Sequence, residues 1–305
     1  MNRVRERLRA AWAYERGLSG AGIGVAVLDS GIAGTHPDLR GRVELERCFG
    51  KQTDPRDLCG HGTHISGIIG GSGAASGGRY QGLAPGCHFI SLKVLDTKGN
   101  GSARDLAEAL YWLMDYGASY QVRIVNISMG GVMEGTEAEE LLRAVELAWN
   151  QGFIVCAAAG NQGPERQSIT IPGTSRKIIT VGSSDDQEPV RMFGEKKVNY
   201  SGRGPTAACI CKPDVVAPGS HVISCNGLWR RKGEWHYCTK SGTSMATPAV
   251  SGALALLLEQ RPHMTNKEVK LHLSKACRNL GLPRNQQGWG QVDLPMLLGE
   301  EDGKE

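Results

Sequence analysis

Residues 25–29 read Val-Ala-Val-Leu-Asp, four apolar residues closed by an acid. A run this apolar, without polar alternation, suits a strand buried on both faces of a parallel sheet. Similar runs recur at Phe89-Ile90-Ser91-Leu92-Lys93-Val94-Leu95, at Ile124-Val125-Asn126-Ile127-Ser128, over 153–158 and at Ile178-Ile179-Thr180-Val181. Helical patterns separate them. Ser102-Ala103-Arg104-Asp105 has the spacing of a capping box, and Leu106, Leu110, Leu113 and Met114 then share one face as far as Gly117. Thr136-Glu137-Ala138-Glu139 opens a second helix, with Leu142, Val145 and Trp149 inward and Gly152 at its end. Thr265-Asn266-Lys267-Glu268 opens a late helix that runs through Cys277. Strand and helix in alternation predict an α/β fold, a doubly wound, mostly parallel central sheet with helices on both faces and right-handed crossovers. No linker divides the chain. A single domain is expected over 20–297, with a short helical segment over 1–19 and a polar tail over 298–305.

The 305 residues include 35 Lys and Arg against 31 Asp and Glu, a net charge of +4. That excess is too small to imply nucleic acid, and the longest basic run, Arg230-Arg231-Lys232, reads as a solvated loop. No apolar run nears the ~20 residues of a membrane span. The first seventeen residues mix Arg with Glu6 and Glu15 and hold no signal-peptide core, so a cytoplasmic location is expected. The stretch 70–78, Gly-Gly-Ser-Gly-Ala-Ala-Ser-Gly-Gly, reads as a flexible turn and not a phosphate loop, because no Gly-Lys-Ser/Thr follows. The nine Cys are odd in number and form no Cys-x-x-Cys, so reduced thiols are the default. Cys156 reads as core, while Cys48/Cys59 and Cys225/Cys238 are the pairs open to bridging. Cys209 and Cys211 with Cys225 and Cys238 lack the usual zinc-knuckle spacing.

Three separated segments carry the chemistry. They are Val27-Leu28-Asp29-Ser30-Gly31-Ile32 with His36-Pro37-Asp38-Leu39, Gly60-His61-Gly62-Thr63-His64-Ile65-Ser66-Gly67, and Ser241-Gly242-Thr243-Ser244-Met245-Ala246-Thr247-Pro248. They supply an acid at a strand end, a His after a Gly turn and a Ser at a helix start, the parts of an activated nucleophile. In these segments and their order the chain resembles the subtilases, the subtilisin-like serine peptidases, over about residues 20–297. The insertion at 71–78, the stretch Lys212-Pro213-Asp214-Val215-Val216-Ala217-Pro218-Gly219 and Gln287-Gly288-Trp289-Gly290 are similar to the group of subtilases without a signal peptide.

The resemblance implies a serine endopeptidase that works through an acyl-enzyme. Ser244 is the nucleophile, His61 the base and Asp29 its orienting acid. Asn161, in Ala157-Ala158-Ala159-Gly160-Asn161, matches the oxyanion amide. Ser128-Met129-Gly130-Gly131 and Gly99-Asn100-Gly101 match the two edges between which a protein or peptide substrate lies as an added strand. Ala157, Ala158 and Gly160 line the primary pocket, with Thr170 near its floor. Small apolar walls imply a medium or large apolar substrate side chain. Pro248 falls in or near the first helical turn, where it is tolerated. No cofactor enters the chemistry. Asp38 aligns with a calcium ligand, but the neighbouring calcium loop is replaced by the Gly-Ser insertion and six oxygen donors are not in view. His64 reads as a structural, hydrogen-bonded residue. The family's long propeptide has no counterpart in residues 1–19, so loss of residues 1–18 is expected to raise activity or lower stability. Oligomeric state is left open.

Overall fold

The computed structural model describes residues 1–192 and 194–299. In chain order its helices are α1 (Asn2–Arg7), α2 (Ala11–Tyr14), α3 (His61–Gly70), α4 (Ala103–Tyr116), α5 (Thr136–Asn150), α6 (Thr243–Gln260), α7 (Asn266–Lys275), α8 (Arg284–Gln287) and α9 (Leu294–Leu298). The strands are β1 (Gly24–Asp29), β2 (Val43–Cys48), β3 (His88–Lys93), β4 (Val122–Ile127), β5 (Ile154–Ala158), β6 (Ile179–Ser183), β7 (Val190–Met192), β8 (Glu195–Lys197), β9 (Val215–Ala217), β10 (Val222–Cys225), β11 (Tyr237–Lys240), β12 (Cys277–Arg278) and β13 (Gln291–Val292).

Nine strands form one sheet in the order β12-β13-β9-β6-β5-β4-β1-β3-β2, parallel except between β12 and β13. β1 is buried along its whole length between β3 and β4, as its unbroken apolar sequence requires. The order of strands reverses between β1 and β4, and the carboxyl ends at such a reversal open a crevice.

Alternation decides which residues meet which helices. Val27 pairs in register with Asn126, and Asn126 with Cys156. Asp29, two residues beyond Val27, shares their face. Ser251 of α6 donates to Asn126 Oδ1 at 2.9 Å, and His61 of α3 meets Asp29, so α3 and α6 occupy this face together. α4 and α5 pack on each other against the opposite face. The crossovers β2–α3–β3 and β4–α5–β5 move the same way across the sheet but through opposite faces. They therefore have opposite hands, and the expectation of uniformly right-handed crossovers fails.

The caps follow the sequence more closely. Ser102 accepts from the Asp105 N–H, and Thr265 with Glu268 forms a complete capping box. Two boundaries differ. α7 stops at Lys275, and Cys277 instead pairs with Val292 in the sheet. In α5 the fully buried Leu is Leu141, with Leu142 half-buried, because Leu141, Ala144, Val145 and Ala148 keep the 3.6-residue stripe.

The segment 1–19 is two short helices fused to the core and not one surface helix. Met1, Val4, Leu8, Ala10 and Ala13 are buried in the main apolar cluster. Leu8 C=O accepts from the Leu294 N–H at 3.1 Å, and Arg9 Nε donates to the buried carboxylate of Asp293 at 2.9 Å. At the other end Leu298 is fully buried in α9, so the packed domain runs past residue 297; residues 300–305 of the expected tail lie outside the described residues. No helix among the described residues is long and apolar enough to cross a membrane. The packing of Leu8 predicts that Leu8→Ala lowers stability by about 2–5 kcal/mol, and that deleting residues 1–18 lowers the denaturant midpoint further. A midpoint unmoved by either change would show the segment to be an appendage.

Candidate active site

β1 delivers Asp29 at its carboxyl end, with no exposed surface. His61 Nδ1 lies 2.8 Å from Asp29 Oδ1 and 2.9 Å from Oδ2. A carboxylate only accepts, so Nδ1 carries the proton and donates it. The Nε2 lone pair is then left on the open edge of the ring. The Ser30 N–H donates to Asp29 Oδ1 at 2.7 Å and fixes the carboxylate.

His61 is the first residue of α3, and what holds it there is a residue that the sequence pattern did not single out. The helix start at Gly60 is left-handed, φ +79°, and carries no side-chain cap of its own. Asp57 does that work from three residues upstream. Its Oδ1 accepts from the Gly60 N–H (2.7 Å), the Cys59 N–H (3.1 Å) and the Ser30 hydroxyl (2.9 Å). Its Oδ2 accepts from the N–H and hydroxyl of Thr63, at 2.9 and 2.6 Å. A buried carboxylate at a helix N-terminus is favoured by the unpaired N–H groups and by the dipole. Thr63 in turn accepts from the Ala33 N–H, and Ser30 Oγ accepts from the Gly62 N–H, closing a network around the His61 turn. A Cβ on Gly62 would lie 2.2 Å from Gly31 O, so only glycine lets α3 approach β1 this closely. The signal available in sequence was an acid just ahead of a helix start.

Ser244 is the second residue of α6 and half-buried, in the turn whose N–H groups lack intrahelical partners. Asn161 follows β5. Its Oδ1 accepts from the Thr243 N–H at 2.9 Å and the Thr243 hydroxyl at 3.2 Å. The oxygen end of the amide is thereby used, which leaves the Nδ2 hydrogens as its donors. Thr243 Oγ1 also accepts from the Gly160 N–H at 3.2 Å, which locks the β5 exit to the start of α6. His61 and Ser244 form no hydrogen bond in this resting arrangement; such bonds are often long or misaligned until substrate binds. Pro248 is the sixth residue of α6, beyond the first turn, and leaves the Ser244 carbonyl without its usual partner.

The expected substrate segments are placed unevenly. Ser128 follows β4, with its hydroxyl accepting from Asn126 Nδ2 at 2.8 Å, and Met129 and Gly130 continue the exit. Gly131 exchanges two backbone hydrogen bonds with Ile171, at 3.1 and 3.0 Å. Ala158 and Gly160 lie on the facing exit, whereas Ala157 is inside β5 and packs in the core. Gly99-Asn100-Gly101 is not a regular strand. Asp96 gathers it into a turn by accepting the N–H groups of Lys98 and Asn100 at 2.8 and 2.9 Å, which also lowers the pKa of Asp96. A 690 Å³ cavity, with Asp57 in its lining, opens between residues 32–35, 43–46 and 227–231; neither His61 nor Ser244 lines it.

His64 points the other way. It is fully buried, with Nε2 3.1 Å from Val222 O and 3.2 Å from Cys238 O, and burial pushes its pKa well below 6.5. It is therefore a neutral structural residue. Asp38 does not sit in a calcium cage. Its carboxylate accepts from the Ala75 N–H of the Gly-Ser insertion (2.9 Å) and the Tyr237 hydroxyl (2.8 Å), with Cys225 Sγ at 3.7 Å. His36 accepts the Asp38 N–H. Nitrogen, sulfur and hydrogen-bond donors do not make an oxygen-rich calcium shell, so these residues do not fit the ion. All nine cysteines are free. Cys225 pairs with Tyr237 and Cys238 with Ser224, so the two thiols point to opposite faces of the β10–β11 hairpin and cannot bridge. Cys209 and Cys211 are exposed while Cys225 is buried, so no four-cysteine cluster forms among the described residues.

Comparison with known proteins shows what the whole chain is similar to. The subtilase family profile matches residues 20–290. Serine protease AprX of Bacillus subtilis (strain 168) is 41 % identical over 83 % of this chain, which spans 60 % of that protein's length. Subtilisin Savinase of Lederbergia lenta is 34 % identical over 94 % of both chains. Among solved structures, S41 Psychrophilic Protease is 33 % identical, with a TM-score of 0.76 over 90 % of this chain and 92 % of its own.

Two expectations follow from the site. Asp57→Ala should lower kcat/KM by about 10²-fold through misplacement of His61, with a lower denaturant midpoint; full activity in this variant would remove Asp57 from the argument. His64 stays neutral in the fold but takes up a proton in the unfolded chain, so stability should fall as pH falls through 6.5. His36, whose pKa burial also lowers, contributes in the same direction. Urea unfolding at about pH 8 and about pH 5.5 tests this, and His64→Gln should shrink the difference.

Proposed function

This chain belongs to the subtilase family and is a subtilisin-like serine peptidase, and on that footing we propose how its own residues divide the work. Ser244 Oγ attacks the carbonyl carbon of the scissile peptide bond while His61 Nε2 takes its proton. Asp29 holds the ring with Nδ1 protonated and stabilises the imidazolium that forms. The negative charge that builds on the carbonyl oxygen is met by the Nδ2 hydrogens of Asn161 and the N–H of Ser244. His61 then gives its proton to the departing amine, leaving an acyl-enzyme. Water enters, His61 removes its proton, and a second tetrahedral intermediate collapses to free Ser244. Side chains and water supply every proton in this scheme.

The observation that carries it is the contact of His61 Nδ1 with both oxygens of Asp29, because it leaves Nε2 as the basic edge of the ring. The anchoring of Asn161 Oδ1 by Thr243 supports the oxyanion assignment, since the amide is oriented before charge develops. A protein or peptide is the substrate of the family. The finer reading is that it binds extended between 99–101 and 128–131 through main-chain hydrogen bonds, which tolerates many sequences. A reducing compartment, the cytoplasm, suits nine unpaired thiols.

A serine-directed fluorophosphonate should label the wild type and not Ser244→Ala, and only the wild type should digest denatured casein. Asn161→Ala should keep KM within a few-fold and lower kcat by about 10²–10³, the loss recorded for one oxyanion donor in subtilisin. Labelling that persists in Ser244→Ala would move the nucleophile elsewhere.

A further inference from the structure

We infer that Lys93 is a positioning residue for His61: its buried ammonium clamps the backbone of Arg56 and thereby fixes Asp57, the acid that holds the His61 turn. The inference rests on the catalytic reading above and adds a residue to it. Lys93 is the last residue of β3 and 2 % exposed. It pairs in register with Asp29 of β1, so the two side chains leave the sheet side by side on the α3 face. Its Nζ donates to Arg56 O at 2.6 Å. Lys212 and Lys270 each pair with Asp214, whereas Lys93 forms no ion pair among the described residues. A buried cation without a counter-ion is costly, and a Met of similar length would fill the space without that cost. The ammonium is therefore explained by the bond that it makes.

The loop that carries the Arg56 carbonyl has little else to hold it. Residues 55–58 form no backbone–backbone hydrogen bond among the described residues. Asp54 accepts from the Arg56 N–H at 3.0 Å, but on the exposed side of the loop. The Asp57 carboxylate is spent on Ser30 and on the turn at 59–63. It can place that turn only as firmly as its own backbone is placed, and Lys93 holds that backbone from the end of β3. The chain after Asp29 presses on the same loop. A Cβ on Gly31 would lie 2.5 Å from Pro55 O and 3.2 Å from the Asp57 nitrogen. A charged donor suits the task, since an ammonium bonds a carbonyl about twice as strongly as a neutral donor does. One path thus runs from β3 through Arg56 and Asp57 to the first turn of α3. Acid and base are both registered on the β1–β3 pair.

The test is a double-mutant cycle on the full chain, read with a peptide p-nitroanilide and with the rate of fluorophosphonate labelling. Lys93→Met removes the donor and nearly keeps the length. It should lower kcat about tenfold and slow labelling to match, with KM within about threefold of wild type, because the base is displaced and the cleft is not. In an Asp57→Ala background, or Asp57→Asn where the alanine variant does not fold, the same substitution should lower kcat less than about threefold, since the path it cuts is already open. Lys93→Gln, which retains an N–H donor, should lose less than Lys93→Met, and it carries the cycle if Lys93→Met does not fold. A purely structural lysine would give the same factor in both backgrounds, alongside a lower urea midpoint. That result, or a loss seen in KM alone, would overturn the clamp. So would full activity in Lys93→Met when the wild type labels and cleaves. A folded wild type that neither labels nor cleaves would overturn the catalytic reading, and this inference with it.

Discussion

A helix buried on every side can leave its unpaired N–H groups only at its ends, and α6 is such a helix. Residues 245–258 are buried without a break. It packs along β4, β5 and β6 and against α3, so its direction is fixed by the sheet. Its first turn must emerge where β4 and β5 end. There Asn161 meets Thr243, and Ser244 stands half-buried in the same turn. The position of Ser244, the proposed nucleophile, is thus a consequence of core packing. The Asn161 amide and the start of α6 cannot move independently, because one hydrogen-bonded cluster joins them.

His61, the proposed base, is held by a different device. Asp57 uses both carboxylate oxygens on the turn that carries His61, so its charge stays on the helix end and away from the imidazole. Asp29 makes the direct contact. Two buried acids near one histidine therefore have separate tasks. One orients the ring, and the other orients the backbone that bears the ring. The division keeps the Nε2 edge free of any competing carboxylate.

Much of the fold was legible because local signals and burial agree. The run at 25–29 is apolar because β1 is covered on both faces, and Ser102 and Thr265 cap helices by bonds made within four residues. The three segments around Asp29, His61 and Ser244 were legible for the same reason, since each places its residue at an element's end. What was not legible depends on distances across the chain. Asp57 gains its role from Ser30 and Thr63 together. Thr170 is packed against Gly130 and Gly160, forty and ten residues away, a closeness no local pattern announces. The opposite hands of two crossovers follow from which face α3 takes, and Leu141 outranks Leu142 by the small phase of one helix. Asp38 stands where the family places a calcium ligand, yet its shell is an N–H from the Gly-Ser insertion, a phenol and a thiol. Composition did not reveal that hydrogen bonds take the place of a cage.

Residues 7–9 and 291–294 are latched to each other. Leu8 bonds Leu294, Arg9 bonds Asp293, and Gln291 Nε2 donates to Arg7 O at 3.1 Å. Chain ends are where digestion usually starts, because they fray. Here neither segment can peel away without breaking its bonds to the other. For an enzyme surrounded by copies of itself, the latch keeps these two segments out of the extended form that a neighbour's cleft would need to seize, so cleavage within them is opposed by the same contacts that close the fold.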